Sequence, residues 1–264
     1  MTQPGDLLVR DADQVRWITL NRPESKNSLT YELNEQLIAA FREATVMRDV
    51  RAVALGGAGG AFCSGLDLSV AGSLASMSPS AVDARLESHF HGLIRAVRAC
   101  PKPVVAIVDG AAAGFGCDLA LACDLRICSD RARFGEVFVK RGLMPDGGGT
   151  FSLPRLVGVG RALELFFTGD LVDAHEAFRI GLANRVVPVA ELEATAAELM
   201  KRLASGPPLV NELDKRSVYA ALGTDLDAAL DAERRGQVRL IQSKDFAEGV
   251  SAFFQKRPPV FRGE

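Results

Sequence analysis

The sequence predicts an α/β fold, on three observations. A run of β-branched residues, Val104–Val108, bounded by Pro103 and Gly110, reads as a buried strand and feeds through a glycine-spaced turn into a helical stretch from about Gly116 to Ala122. A second strand, Ala52–Leu55, runs into another glycine-rich loop, Gly56–Gly60. Between the two, Val82, Leu86, Phe90, Leu93, Ile94 and Val97 form one apolar stripe on a helix from about Ser80 to Cys100.

At 264 residues the chain can be one large domain with a substantial core, or one domain with a small appendage. With 48% hydrophobic and 24% charged residues it has the composition of an ordinary soluble protein. The formal net charge is −2 and no long basic block occurs, which argues against nucleic acid or an anionic membrane as partner. The first residues, Met1–Asp6, lack the cationic and apolar parts of a signal peptide, and no apolar run approaches a bilayer's thickness, so a cytoplasmic location is expected. Cys63, Cys100, Cys117, Cys123 and Cys128 make an odd count without a Cys-x-x-Cys pair, and histidines are few. Reduced, buried thiols are expected, and no metal site.

Taken in order, Val15–Leu20 alternates as a half-buried strand of a first hairpin, with Val15, Trp17 and Thr19 on one face. Arg22–Lys26 leaves it as a loop, and Ser28 or Thr30 can cap a helix running to about Arg48. Val70–Pro79 turns to Ser, Ala, Gly and Met, which suggests a mobile linker or lid. On the helix that follows, His89 lies at the edge of the apolar stripe and His91 far round from it; both are expected to be structural or exposed, as is His175. After Thr150 the pattern is helical over Phe151–Val157, Gly160–Thr168 and Asp173–Ile180, with Gly181 as a stop. A short strand at Asn184–Val187 precedes helices over Val189–Ser205 and Asp225–Ile241 and an amphipathic element over Phe246–Gln255. Phe253, Phe254 and Phe261 offer apolar area for docking. No internal repeat occurs, and Gly114-Phe-Gly116 lacks the spacing and downstream acid of a dinucleotide site.

The turn between Val108 and Gly116 gives a backbone bare enough for a ligand to approach closely. Amides in the first turn of a helix lack intrahelical acceptors, and the dipole there favours negative charge. Such a turn can stabilise a developing oxyanion, and Phe62–Leu68, which follows the second glycine-rich loop, can supply a second donor.

At these residues the sequence resembles the crotonase, or enoyl-CoA hydratase/isomerase, superfamily. The matching pieces are Leu20–Pro23, Asn27–Leu29, Ala61–Asp67, Asp109–Arg126, Ala132–Gly135, Gly142–Thr150, Leu153–Arg155 and Thr168–Gly169, in an order and spacing that cover nearly the whole chain. The resemblance implies a β-β-α spiral core over residues 1–200 and a C-terminal helical trimerisation region over 201–264. It implies an acyl-CoA thioester as substrate, with coenzyme A part of that substrate and no separate cofactor. The assembly implied is a homotrimer, often paired into a hexamer.

By the same resemblance the oxyanion donors are the backbone N–H groups of Leu66 and Phe115. Lys26, Ser64, Gly65, Asp67 and Leu68 fall where coenzyme A binds, with Arg22 a further candidate for its phosphates and Lys256 reaching them from the C-terminal tail, even across a subunit boundary. Solvated surface cations are the alternative for Lys26 and Arg22. Gly114 and Phe138 fall in the acyl pocket.

The family places acids at up to three positions. The first holds Asp118, one methylene shorter than the glutamate of typical hydratases. The second, where hydratases carry their other glutamate, holds Phe138; Glu136 would share its face only on an extended strand, and no role is carried over to it. The third holds Asp146, which is also a good turn former between Pro145 and the glycines Gly147–Gly149. If Asp118 and Asp146 both approach the thioester, they titrate as a pair, with one protonated near neutrality.

Adding water across a conjugated double bond wants two acids, whereas shifting a double bond needs one base. The pattern therefore implies an isomerase with Asp146 as base, and the branch that isomerises a ring epoxide in phenylacetate breakdown is most alike. A hydratase working through Asp118, a non-catalytic acyl-CoA binder, and a variant in which Asp146 attacks as nucleophile stay open.

Overall fold

The chain begins with a hairpin. Leu7–Ala12 (β1) and Val15–Leu20 (β2) pair antiparallel, with Ala12 opposite Val15. Asp13 and Gln14 between them both take positive φ, as a two-residue turn of the type that matches strand twist requires. The computed structural model describes residues 5–264; the first four, on which part of the expectation about a leader rests, lie outside them.

The strand β2 is covered on both faces rather than one. Val15 and Trp17 do share a face, as the alternation predicts, but Ile18 and Leu20 on the other are completely enclosed. Arg16 sits on that second face, where its guanidinium meets Asp11 at 2.8 Å and the Ala40 carbonyl at 3.0 Å. A buried cation needs such partners. The helix Tyr31–Val46 (α1) covers this side with Leu33, Leu37, Ile38, Phe41 and Ala44. Its cap is Thr30, whose hydroxyl accepts the Leu33 N–H at 3.2 Å, while Ser28 turns to Asp67.

Beyond Ala52–Gly57 (β3), the stretch expected as a linker or lid is largely helical: Leu68–Ala75 (α2) is capped by Asp67, and Ser78 caps Pro79–Arg85 (α3). Serines that looked like loop residues serve as caps. The long helix expected next is present, but Leu86–His91 is a π-turn between α3 and Gly92–Ala99 (α4). His89 is buried there, against Glu35 and edge-on to the Tyr31 ring.

Val104–Val108 (β4), Ala111–Ala113 (β5) and Phe115–Ala122 (α5) form the predicted strand, turn and helix. Every residue of α5 is buried, so it is the central helix of the molecule. It ends against Arg126 on Leu125–Ser129 (β6), whose buried guanidinium donates to the carbonyls of Cys123 at 2.9 Å and Leu182 at 2.6 Å. Arg133–Gly135 (β7), a 3₁₀ turn over Val137–Arg141, Gly149–Val157 (α6), Val159–Thr168 (α7), Val172–Asp173 (β8), Ala174–Arg179 (α8) and Arg185–Val187 (β9) follow.

The main sheet has the order β1-β2-β3-β4-β6-β9, parallel from β2 onward, and a small sheet has the order β5-β7-β8. A mostly parallel sheet needs both faces covered. One face packs on α1, α4 and α5, and the other on Leu192–Ala204 (α9) through Leu192, Ala196, Leu199, Met200 and Ala204. The expected division at 200/201 therefore falls within α9.

Pro208–Ala221 (α10), which the sequence reading left unassigned, Leu226–Ile241 (α11) and Lys244–Gln255 (α12) complete the chain. Neither α10 nor α11 buries a residue fully, and Phe253 and Phe254 are 79% and 78% exposed. All five cysteines are buried and unpaired. Among the described residues no helix is long and apolar enough to cross a membrane.

Candidate active site

Two backbone segments meet where β3 and β4 end. After β3 the chain returns through Phe62 and Cys63, whose amides donate to the Ala111 carbonyl at 3.0 and 2.9 Å, and Cys63 O accepts from Ala113 N at 3.0 Å. The next residues pair with the loop before α1: Leu29 N donates to Gly65 O at 2.8 Å and Asp67 N to Leu29 O at 3.0 Å. These two bonds bracket Leu66. In extended chain successive residues turn their amides to opposite sides, so the Leu66 N–H faces away from Leu29. On that side lies β5, because a Cβ added to Gly65 would meet Ala113 O at 2.8 Å and Phe115 N at 3.3 Å. Phe115 is the first residue of α5, and its N–H has no intrahelical acceptor. The segments that carry the two expected donors adjoin across the gap that a Gly65 side chain would fill.

The loops behind the gap are tied down. Ser64 N donates to Lys26 O at 3.0 Å and its hydroxyl to Ser25 O at 3.1 Å. The Asp67 carboxylate accepts from Ser28 Oγ at 2.7 Å, from Arg22 at 3.0 Å, and from Ser69. The Ser69 and Ser28 bonds, with Arg22 behind them, hold its carboxyl well below the usual range. Arg22 and Asp67 are thus engaged with each other, and their side chains frame the loop. Lys26 and Leu68 are exposed beside them, Leu68 at 76%. Lys256 ends α12 in the left-handed conformation, and no hydrogen bond among the described residues ties it to this group.

The acids converge from three elements. Asp118, on the first turn of α5, is 1% exposed and accepts the Gly147 N–H at 2.8 Å. Glu136, just past β7, is 2% exposed and stands against Cys117 and Asp118. A Cβ on Gly149 would come within 2.2 Å of Asp118 Oδ1 and 3.3 Å of Glu136 Oε1, so both carboxyls lie under the turn that carries Asp146. A Cβ on Gly147 would in turn meet the Phe115 ring at 2.9 Å. Asp146 alone of the three is only half-buried.

Burial, then the neighbouring Glu136 charge, pushes Asp118 well above the ordinary carboxyl range. Burial likewise pushes Glu136 up to about 7, against the lowering effect of its contacts with Cys117 and Asp118. Asp146 is raised by burial and partly restored by the charge of His91, which the π-turn brings within electrostatic reach.

Phe138 and Gly114 are neighbours, since a Cβ on Gly114 would lie 3.9 Å from Phe138 Cζ. Glu136 is the site residue that the sequence reading passed over. At Glu136 the chain leaves β7 with ψ of 64° and enters the 3₁₀ turn, so strand alternation with Phe138 no longer applies. The available signal was a single carboxylate inside the apolar run Phe134–Val139.

Residues 10–264 match the family model for enoyl-CoA hydratase/isomerase. The chain is 42% identical over 246 residues, 93% of each protein, to a probable enoyl-CoA hydratase of Rhodobacter capsulatus. It is 38% identical over 250 residues, 95% of each protein, to the 1,2-epoxyphenylacetyl-CoA isomerase of Escherichia coli. The crystal structure of an enoyl-CoA hydratase from Bacillus anthracis superposes with a TM-score of 0.93 at 37% identity, covering 98% of this chain and 100% of that one.

Proposed function

The chain belongs to the enoyl-CoA hydratase/isomerase family and has the crotonase fold, and on that premise we propose that it is an acyl-CoA isomerase with Asp146 as its base. The observation that carries this reading is the unequal burial of the three acids. Asp118 and Glu136 are sealed, whereas Asp146 is half-buried on a turn that packs against Phe115, the residue whose amide forms one side of the gap.

The thioester carbonyl oxygen would sit between the N–H groups of Leu66 and Phe115. The Asp146 carboxylate takes a proton from the carbon beside the carbonyl, and the electron pair moves onto the oxygen as an enolate. Each amide aimed at that charge is worth roughly 3 to 4 kcal/mol. The Asp146 acid then returns its proton to the far carbon of the conjugated system, and the double bond has moved with atoms and charge conserved. A base whose pKa is raised by burial suits both halves of this cycle. Phe138, at the second acid position of the family, supplies no group to hold a water and gives the acyl chain an apolar wall beside Gly114.

Coenzyme A enters as part of the substrate, with Lys26 and the backbone of Ser64, Gly65, Asp67 and Leu68 along its path, and Lys256 from the C-terminal tail. The exposed Phe253 and Phe254 favour assembly into a trimer or hexamer. A hydratase working through Asp118 is the second reading, favoured by the hydratase name of the 42% identical relative.

Turnover of a 3-enoyl-CoA and of crotonyl-CoA by the native enzyme and Asp146→Asn tests the proposal. Isomerisation of the first, lost in the variant, is expected. Hydration of crotonyl-CoA unaffected by the variant supports the second reading, and full isomerase activity in the variant overturns the first.

A further inference from the structure

We propose that Glu136 is a positioning residue: it shares one proton with Asp118, and this sealed carboxyl pair, through the Gly147 amide, fixes the turn that presents Asp146 to the substrate. The inference rests on the reading of Asp146 as base.

Both members of the pair are enclosed, at 1% and 2% exposure, on α5 and just past β7. Asp118 Oδ2 takes the Gly147 N–H, but Asp118 Oδ1 and both Glu136 oxygens are buried without an ordinary hydrogen-bond donor. Buried carboxylate oxygens without donors are costly, and a proton held between the two carboxyls is the donor at hand. The groups that bear on Glu136 are Asp118 and Cys117 from α5 and Asp146 from the turn, while the one cation involved, His91, acts on Asp146. Two ionised carboxylates in such surroundings repel strongly, so one stays protonated near neutrality.

Geometry links the pair to the base. Cβ atoms on Gly147 and Gly149 would stand 2.5 Å from Asp118 Cβ and 2.2 Å from Asp118 Oδ1, so the turn rests directly on the Asp118 side chain. Glu136 stands against the Asp118 carboxyl, and its Oε1 lies 3.3 Å from where a Cβ on Gly149 would be, so it too packs under the turn. The shifts agree: burial sends Asp118 high and leaves Glu136 to ionise at about 7, with the Asp146 charge raising both. The interaction is reciprocal, so an ionised Glu136 strengthens Asp146 as a base.

Two measurements test this. The first is kcat/KM of isomerisation against pH for the native enzyme, Glu136→Gln and Glu136→Leu. The native profile should rise in two steps, the upper near pH 7. Glu136→Gln should erase the upper step, and Glu136→Leu should in addition lower kcat about tenfold with KM little changed, as a displaced base does. The second is an infrared titration of the free enzyme, in which one carboxylic acid band should disappear through pH about 7 and be missing in Glu136→Gln.

An upper step retained in Glu136→Gln, or no carboxylic acid band titrating in the native enzyme, overturns the proposal. If the variants do not fold, the native infrared titration decides alone. An inactive Asp146→Asn beside an unaltered Glu136→Gln sinks only the positioning role. A fully active Asp146→Asn sinks the base assignment, whatever the infrared result.

Discussion

The amide nitrogen of Phe115 lies 3.3 Å from the point where a Cβ on Gly65 would stand. Forty-nine positions of sequence separate the two, yet the absent side chain of one is the space beside the donor of the other. Gly65 also holds φ at +92°, a conformation that L side chains rarely adopt. Gly65→Ala should therefore displace the first loop and spoil the alignment of both amides. A loss of about 100-fold in kcat is expected, the usual cost of one misdirected oxyanion donor. Steady-state kinetics on the acyl-CoA substrate would show it, and an unchanged kcat would remove this gap from the reaction.

Glu136 should make stability depend on pH in a definite direction. Its folded value is raised from 4.5 to about 7, so it favours the fold fully below the unfolded value and that contribution is lost as pH rises through the folded one. Between about pH 5 and pH 8 the native protein should lose on the order of 3 kcal/mol from this group. Glu136→Gln cannot ionise and should gain on the native chain across the same window. Urea unfolding at the two ends of the range measures the difference, and parallel curves for the two proteins would contradict it.

On the proposed mechanism, His91 should set where Asp146 begins to work. Its charge lowers the Asp146 value that burial raises. Replacing it with Gln removes that opposition, so the Asp146 value rises and the acid limb of kcat/KM moves to higher pH. Glu87 shares His91 at 3.3 Å and binds Arg95, so Glu87 should keep its Arg95 partner in the variant. An acid limb that stays in place, or moves down, would show that Asp146 does not feel this imidazole.

Phe253 and Phe254, edge to face at 5.8 Å between ring centroids, are almost entirely uncovered in the single chain. Rings of this size bury 150 Å² or more each when an interface closes on them. Replacing both with Ser should shift sedimentation from a multiple of the chain mass toward the single chain. The native protein sedimenting as a monomer would argue that α12 docks on nothing.

The strand, turn and helix at Val104–Ala122 were legible because a β-branched run and a run of small helix formers on either side of glycines leave the backbone little choice. The proposed pairing of Leu66 with Phe115 rests on the family resemblance of the motifs that carry them. The caps were legible only in part: Thr30 was among the candidates, but Ser78 and Asp67, which make a helix pair of an expected linker, were not singled out as caps. The helix α10 stayed unassigned: it opens on the breaker run Gly206-Pro207-Pro208 and, like α11, buries no residue fully.

By itself the sequence determined the α/β class, the glycine-lined loops, and which acids are present, since these follow from local propensity and from the identity of side chains. Only the tertiary structure decided which acids are sealed and which is half-buried. Asp118, Glu136 and Asp146 come from a helix, a strand end and a turn, and their burial depends on how three distant segments pack, a property that no spacing along the chain records. The same packing buries Asp118 and Glu136, leaves Asp118 Oδ1 and both Glu136 oxygens without donors and raises both groups, so the protonation of the site is a consequence of the fold rather than of residue type.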